Sequence, residues 1–168
     1  LPYGAEVVPV ETTREMGDAV LARAAETDVL FMVAAVSDLT PVNPADRKIK
    51  KSDDTDAGLM IELQKTLDIL VAVKEQRATS GFPRVVLGFA AETHNAAEFG
   101  AEKLQRKGLD FIAINDVTAE GSGFGVDTNR VLLLGREGVV EEMPLQSKSD
   151  VAERLVHHVA AALNKLSD

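Results

Sequence analysis

Hydrophobic and polar positions along the chain follow two habits. Short, continuous apolar runs occur at Val29-Leu30-Phe31-Met32-Val33-Ala34-Ala35-Val36, from Arg84 to Ala90, and from Phe111 to Ile114. Runs of this length, bounded by polar residues, predict strands covered on both faces, as in parallel sheets. Between them the apolar residues recur with helical period. Thr12-Thr13-Arg14-Glu15 predicts a capping box, Thr12 as N-cap and Glu15 at N3, for a helix through about Ala25. Thr66 is placed to cap a helix to about Arg77, and Asn95 with Glu98 to start one ending at Lys107. Ala5 to Val10 and Leu59 to Leu63 read as short strands, and the polar, Pro-containing stretch from Ser37 to Gly58 as loop. After Ile114 a Gly-rich loop, 121–125, leads to a strand at Arg130 to Leu134 and a hairpin through Gly138 to Met143. A last helix, from near Ser149 to about Leu166, sets Val151, Leu155, Val159 and Leu163 on one face.

Strands alternating with helices predict βαβ units and right-handed crossovers. The expected fold is α/β: a three-layer, Rossmann-like parallel sheet with helices on both faces and a C-terminal β-hairpin, in one domain over 1–168. In such open sheets ligands sit beyond the carboxyl ends of the strands, which directs attention to the loops after Ala35, Ala90 and Ile114.

Composition narrows the function. The 168 residues are 45% hydrophobic, enough for a real core, and carry a net charge of −9. An acidic chain without a basic stripe is a poor partner for nucleic acid, so an anionic ligand must find a local cationic cluster. No apolar run approaches the roughly 20 residues that span a bilayer, and no basic-then-apolar leader opens the chain. The absence of cysteine removes disulfides, zinc–thiolate sites and thiol nucleophiles together, and points to a cytoplasmic setting.

Arg47-Lys48-Ile49-Lys50-Lys51 puts four cations into five residues. From charge alone, a phosphate clamp and a solvated loop balanced by Asp53, Asp54 and Asp56 are equally good readings. Lys65 to Ile69 falls at a helix start, where free N–H groups favour an anion, although Thr66 is more often merely a cap. Lys103 and Lys107, four residues apart, share a face directed away from Ala97, Ala101 and Leu104; singly, each reads as a solvated surface lysine. The Gly-rich loop precedes a strand, so it is not a dinucleotide fingerprint, and its Phe124 reads as an anchor or interface residue. His157 and His158 are adjacent on a helix, and His94 stands alone, which leaves no metal cage. Glu92 and Asp116 follow strand ends and fit either a polar site or a turn. Neither a P-loop nor a nucleophile elbow is present.

Taken in order, Ala34-Ala35-Val36-Ser37-Asp38, Lys48-Ile49-Lys50-Lys51, Lys65 to Leu70, Gly88-Phe89-Ala90-Ala91-Glu92-Thr93, Lys103 to Lys107, Asn115-Asp116-Val117 and Gly123 to Asn129 closely resemble the phosphopantothenoylcysteine synthetase family, the second half of a bifunctional coenzyme A biosynthesis flavoprotein. The resemblance implies a ligase that activates 4′-phosphopantothenate with CTP to an acyl-cytidylate, then forms an amide with L-cysteine. It implies that Ala34 lines the nucleotide site, Asp38 holds the ribose or base, and Lys48 is the key catalytic cation near the α-phosphate. By the same resemblance Thr66, Leu67, Asp68 and Ile69 present a helix start to the nucleotide, Phe89 packs on it, and Lys103 and Lys107 hold its phosphates. Mg²⁺ is the implied companion of CTP; a homodimer, with contacts around Arg130 to Met143, and a fused or associated flavin-dependent decarboxylase are the implied partners.

Two departures stand out. Thr66-Leu67 replace the Asn-Pro often found at the family's helix start, and the family's upstream strand, Gly-rich turn and Asn-bearing segment do not precede Leu1. A sheet lacking its first strand–helix–strand is expected to expose a core edge, which predicts a fragment, an additional preceding segment or a split protein. Two other readings compete: a nucleotide-binding module without catalysis and, from fold class alone, a nicotinamide-dependent oxidoreductase.

Overall fold

The computed structural model describes residues 4–45, 47–49, 59–92, 95–118, 121–122 and 125–166. Its elements run α1 (Thr13–Ala24), β1 (Val29–Met32), β2 (Leu39–Pro41), β3 (Leu63–Lys65), α2 (Ile69–Ser80), β4 (Val85–Glu92), α3 (Ala96–Lys107), β5 (Phe111–Asp116), β6 (Thr128–Gly135), β7 (Gly138–Ser147) and α4 (Lys148–Lys165). Five strands form one sheet in the order β1-β4-β5-β6-β7. The first three are parallel, and β6 and β7 are antiparallel additions. The parallel half with its closing hairpin is thus the expected α/β architecture.

Alternation along the strands divides the core into two layers. Val86, Ala90, Ile112 and Ile114 face α1, α2 and α3, where they meet Ala24, Ile69, Val73 and Leu104. Val85, Leu87, Ala113, Val131 and Leu133 face the opposite side and pack on Val151, Leu155 and Val159 of α4. These α4 residues recur every four positions, which is why one apolar stripe meets the sheet. Among the described residues, three helices lie on one face and α4 on the other. Gly100 allows the close seating of α3: a Cβ there would lie 2.2 Å from Cδ1 of Ile114 and 2.9 Å from Cδ1 of Leu134.

Several local expectations hold. The Thr12 capping box forms, with Thr12 Oγ1 accepting from the Glu15 N–H (3.2 Å) and Glu15 Oε2 accepting from the Thr12 N–H (3.0 Å). Others are corrected. Ala5 to Val10 is not a strand, because among the described residues no neighbouring strand pairs with it. The loop expected from Ser37 contains β2, and the strand expected at Leu59 to Leu63 is instead β3, displaced toward Lys65; the two pair antiparallel as a small arm separate from the main sheet. Thr66 does not cap α2. Asp68 is the N-cap, accepting from the Val71 N–H at 3.3 Å, and the helix continues to Ser80. Asn95 does precede α3, but in the left-handed region (φ 50°) and without a side-chain cap, a conformation asparagine tolerates better than most residues. The last helix starts at Lys148, with Ser147 as its cap. Lys50, Lys51, Asp53, Asp54, Asp56, His94, Gly123 and Phe124 lie outside the described residues.

At the amino ends of the strands, charge is used for closure. Asp110, just before β5, accepts from the Val86 N–H at 2.8 Å and pairs with Arg77 at 2.9 Å and Arg136 at 2.7 Å. Arg77 in turn donates to the carbonyls of Gly108 and Arg84. The last turn of α2, the end of α3 and the starts of β4 and β5 are thereby tied together.

Candidate functional site

The carboxyl ends of β1, β4 and β5 collect the candidate residues from both sides of the sheet. Along β4, Phe89 belongs to the series facing α4, whereas Glu92 follows Val86, Gly88 and Ala90 in the opposite series. On the α4 side lies a groove of about 560 Å³ whose walls include Phe31, Val33, Ala34, Phe89, Val151 and Val156. Ala34 and Phe89, distant in sequence, therefore line one surface. The polar residues at this groove are Asn115, Asn129 and Lys148. Asn129 is almost buried and donates to Asn115 Oδ1 at 3.2 Å while its own oxygen accepts from Ser122, which fixes both amides.

Asp38 and Thr66 meet at the base of the arm. The Thr66 N–H donates to the Asp38 carbonyl at 3.0 Å, and the Thr66 hydroxyl to the Ser37 carbonyl at 2.6 Å. The loop leaving β1 is thus latched to the segment entering α2, with Leu39 opposite Lys65 in the register of the arm. This latch explains what Thr66 does in place of capping. Leu67 is exposed and Ile69 is buried under α1, so within the expected helix-start motif Ile69 packs in the core. Lys48 is exposed on the loop beyond β2 and has no ion pair with a described residue.

The two lysines of α3 are not the solvated pair that spacing alone suggests. The buried positions of α3 are Gly100 and Leu104, with Ala96 packed against them, while Ala97 and Ala101 are exposed. That rotation turns Lys103 and Lys107 toward the sheet end and leaves both only partly exposed. Lys103 Nζ donates to Glu92 Oε1 at 2.5 Å. Lys107 Nζ lies 3.3 Å from Asp68 Oδ2, whose other oxygen caps α2. Sequence reasoning left Glu92 between a site and a turn role; its place two residues after the inward-facing Ala90, with a lysine on the next helix, was the available signal. Asp116, opposite Glu92 in the register, accepts from the backbone and hydroxyl of Thr118 and stands 3.9 Å from Arg130, so its role is partly that of a turn residue.

Chemically, this arrangement offers an apolar wall for a flat or aliphatic group, a helix start, and two held cations where an anion can bind. Among the described residues no group of three or more His, Cys, Asp or Glu is disposed to hold a metal ion. No helix of the described residues is long and apolar enough to cross a membrane.

Comparison with known proteins places this geometry. The family model described as DNA/pantothenate metabolism flavoprotein C-terminal domain matches residues 1–163. The coenzyme A biosynthesis bifunctional protein CoaBC of Bacillus subtilis (strain 168) is 39% identical over 157 residues, covering 94% of this chain and 37% of that protein. The crystal structure of the C-terminal domain of a coenzyme A biosynthesis bifunctional protein CoaBC superposes with a TM-score of 0.73 at 31% identity, over 94% of this chain and 68% of the other. The DNA/pantothenate metabolism flavoprotein from Streptococcus pneumoniae, at 22% identity, shares the fold with a TM-score of 0.68, over 90% of this chain and 71% of that one. The chain thus spans less than half the length of the curated relatives it matches. With nearly every residue inside the family model and the same fold in its structural neighbours, the chain belongs to the DNA/pantothenate metabolism flavoprotein C-terminal domain family.

Proposed function

We propose that this chain is the CTP-dependent phosphopantothenate–cysteine ligase part of a coenzyme A biosynthesis protein. The observation that supports the reading is that the groove holding Ala34 and Phe89 lies on the α4 side of the sheet's carboxyl end, while the Asp68-capped start of α2 and the paired lysines of α3 belong to the other side of the same sheet. In this reading CTP lies across the sheet end. Phe89 packs on the nucleotide, the arm base with Asp38 and Thr66 holds its ribose or base, and Lys103 and Lys107 take the outer phosphates.

The reaction needs positive charge where negative charge grows. The carboxylate of 4′-phosphopantothenate attacks the α-phosphorus, pyrophosphate leaves, and the amine of L-cysteine then displaces CMP from the acyl-cytidylate to form the amide. Lys48, exposed and without an ion pair to a described residue, is the cation assigned to the α-phosphate, where it would stabilise the charge that develops. The proposed magnesium ion arrives on the nucleotide and is held by it, not by a site of this chain's described residues. Asp68 and Glu92 are engaged by lysines, and Mg²⁺ characteristically keeps substrate phosphates and water as its ligands. When bound, the ion supplies charge neutralisation on the triphosphate.

The relatives' printed description as bifunctional, and their greater length, support a flavin-dependent decarboxylase joined to or associated with this part. A homodimer is also part of the proposal. Exposed large apolar side chains cluster on and beside the arm, at Leu39, Leu59, Met60, Ile61 and Leu63, with Met60 94% exposed. The arm and the Arg130 to Met143 strands, where Val139 and Val140 are also exposed, are the two surfaces proposed for contact with a second copy.

Calorimetric titration with Mg²⁺–CTP, run beside ATP and NADPH, tests the reading; CTP alone is expected to bind. A Lys48→Ala substitution is expected to weaken CTP binding and abolish acyl-cytidylate formation while shifting stability by less than about 0.5 kcal/mol, as for an exposed loop residue. Binding without any amide product when the rest of the protein is supplied would favour a non-catalytic nucleotide module.

A further inference from the structure

We propose that Glu92 is a positioning residue, which acts through Lys103 by holding its ammonium at the carboxyl end of β4 in the orientation that meets a nucleotide phosphate. The proposal rests on the nucleotide-binding reading above.

Three observations carry it. Glu92 is the last residue of β4 and belongs to the strand face covered by α1, α2 and α3; its side chain is only 18% exposed. Lys103 comes from α3 on that same face and donates to Glu92 at 2.5 Å. One turn later Lys107 is held to Asp68, and Asp68 is itself fixed by capping α2. Each lysine is thus tied to a neighbouring element that cannot move without disturbing the sheet or a helix start.

The chemistry of the ammonium gives the pairing its use. A lysine has three N–H donors and a long, entropically costly side chain. One donor given to Glu92 fixes the head and leaves two for phosphate oxygens, so ordering of the chain does not have to accompany ligand binding. A carboxylate in this place also has an opposing effect, since its charge repels a phosphate. The two effects predict opposite signs: if positioning dominates, loss of the acceptor weakens nucleotide binding, and if repulsion dominates, it strengthens it.

The experiment compares Glu92→Gln with Glu92→Met, two side chains of similar length, of which only the first keeps an oxygen that can accept from Lys103. Mg²⁺–CTP affinity is measured by calorimetry for wild type, E92Q, E92M, Lys103→Ala and the E92M/Lys103→Ala double variant, with thermal melts in parallel. E92M is expected to lose roughly tenfold in affinity, as for one charge-assisted hydrogen bond, and E92Q to stay within about threefold of wild type. In the Lys103→Ala background, E92M is expected to have no further effect, because the pair acts as one unit. Tighter or unchanged binding by E92M overturns the proposal. The same loss in both backgrounds assigns Glu92 a general structural role and also overturns it, as does an E92M variant that fails to fold. A wild-type protein that is folded and binds no CTP removes the nucleotide reading itself, and this proposal with it.

Discussion

The two ends of the sheet use the same chemistry for different ends. At the amino end, Asp110 accepts from a backbone N–H and pairs with two arginines, and Arg77 gives two further donors to carbonyls. At the carboxyl end, Lys103 and Lys107 each meet one carboxylate among the described residues. Both clusters are partly buried, so burial and charge alone do not separate a clamp from a binding site. Connectivity differs instead: the amino-end contacts converge on one carboxylate and on backbone groups of several elements, whereas each carboxyl-end lysine is held by a single carboxylate, the arrangement that the nucleotide proposal uses.

Substitution at the closed end sharpens that contrast most strongly. Asp110→Ala removes the shared acceptor and leaves the Val86 N–H and the inner face of Arg77 without it, a mostly buried arrangement with both side chains under one fifth exposed. Its expected cost is about 2–3 kcal/mol, read as a lower urea midpoint with unchanged slope. CTP affinity of the folded fraction is expected to be unchanged. A loss of affinity without a loss of stability would mean that the amino-end cluster is not the self-contained clamp described.

Gly100→Ala tests the seat that connects α3 to the open end. The added methyl would overlap Cδ1 of Ile114 and crowd Leu134. Alanine favours a helix over glycine by about 1 kcal/mol, but overpacking a close helix–sheet contact costs about 1–3 kcal/mol. Those magnitudes predict net destabilisation of roughly 1 kcal/mol and a displacement of α3 from the sheet. Since Lys103 and Lys107 ride on that helix, nucleotide affinity is expected to fall along with the denaturation midpoint, unlike in Asp110→Ala. Equal effects of the two variants on affinity would break the distinction between the ends.

Much of this was legible in the amino-acid sequence, and what was not has physical causes. Apolar runs located β1, β4 and β5, because strands buried on both faces have few other sequence signatures. The four-residue spacing of Val151, Leu155 and Val159 located the buried face of α4. The start of α2 was misplaced because two residues in Lys65-Thr66-Leu67-Asp68 can cap, and only the tertiary latch between Thr66 and Ser37 decides between them. Half of the arm was missed: β2 was read as loop and the strand expected at Leu59 to Leu63 was placed a few residues early, because three-residue strands carry little pattern of their own. The rotation of α3 was misjudged for a related reason: counting alanines as inward points the lysines to solvent, whereas the helix in fact packs through Gly100, a residue with no hydrophobicity to signal it. The carboxylate partners of the lysines depend on contacts between elements, to which spacing along one helix is blind.

The smallest expected effect lies at the far edge, where β7 meets α4. Glu141 accepts from His158 at 2.7 Å and pairs with Arg154, a third cluster that, like Asp110, joins a helix to the sheet. The hydrogen bond with His158, followed by the charges of Arg154 and His158, holds the Glu141 carboxyl below the usual carboxylate range. A depressed folded-state pKa means that ionised Glu141 stabilises the fold, fully so above its unfolded pKa and progressively less as pH falls through the lowered folded value. Because the group is a quarter exposed, the contribution is expected to stay within about 1 kcal/mol. Glu141→Gln should therefore lower the denaturation midpoint slightly at neutral pH, and its curve should converge on that of wild type in acid as the wild-type carboxyl becomes protonated. Nucleotide affinity should not respond. A gap that persisted at the acid end would show that Glu141 contributes by packing and neutral hydrogen bonding instead of charge, making it a closed cluster of a different kind from the one around Asp110.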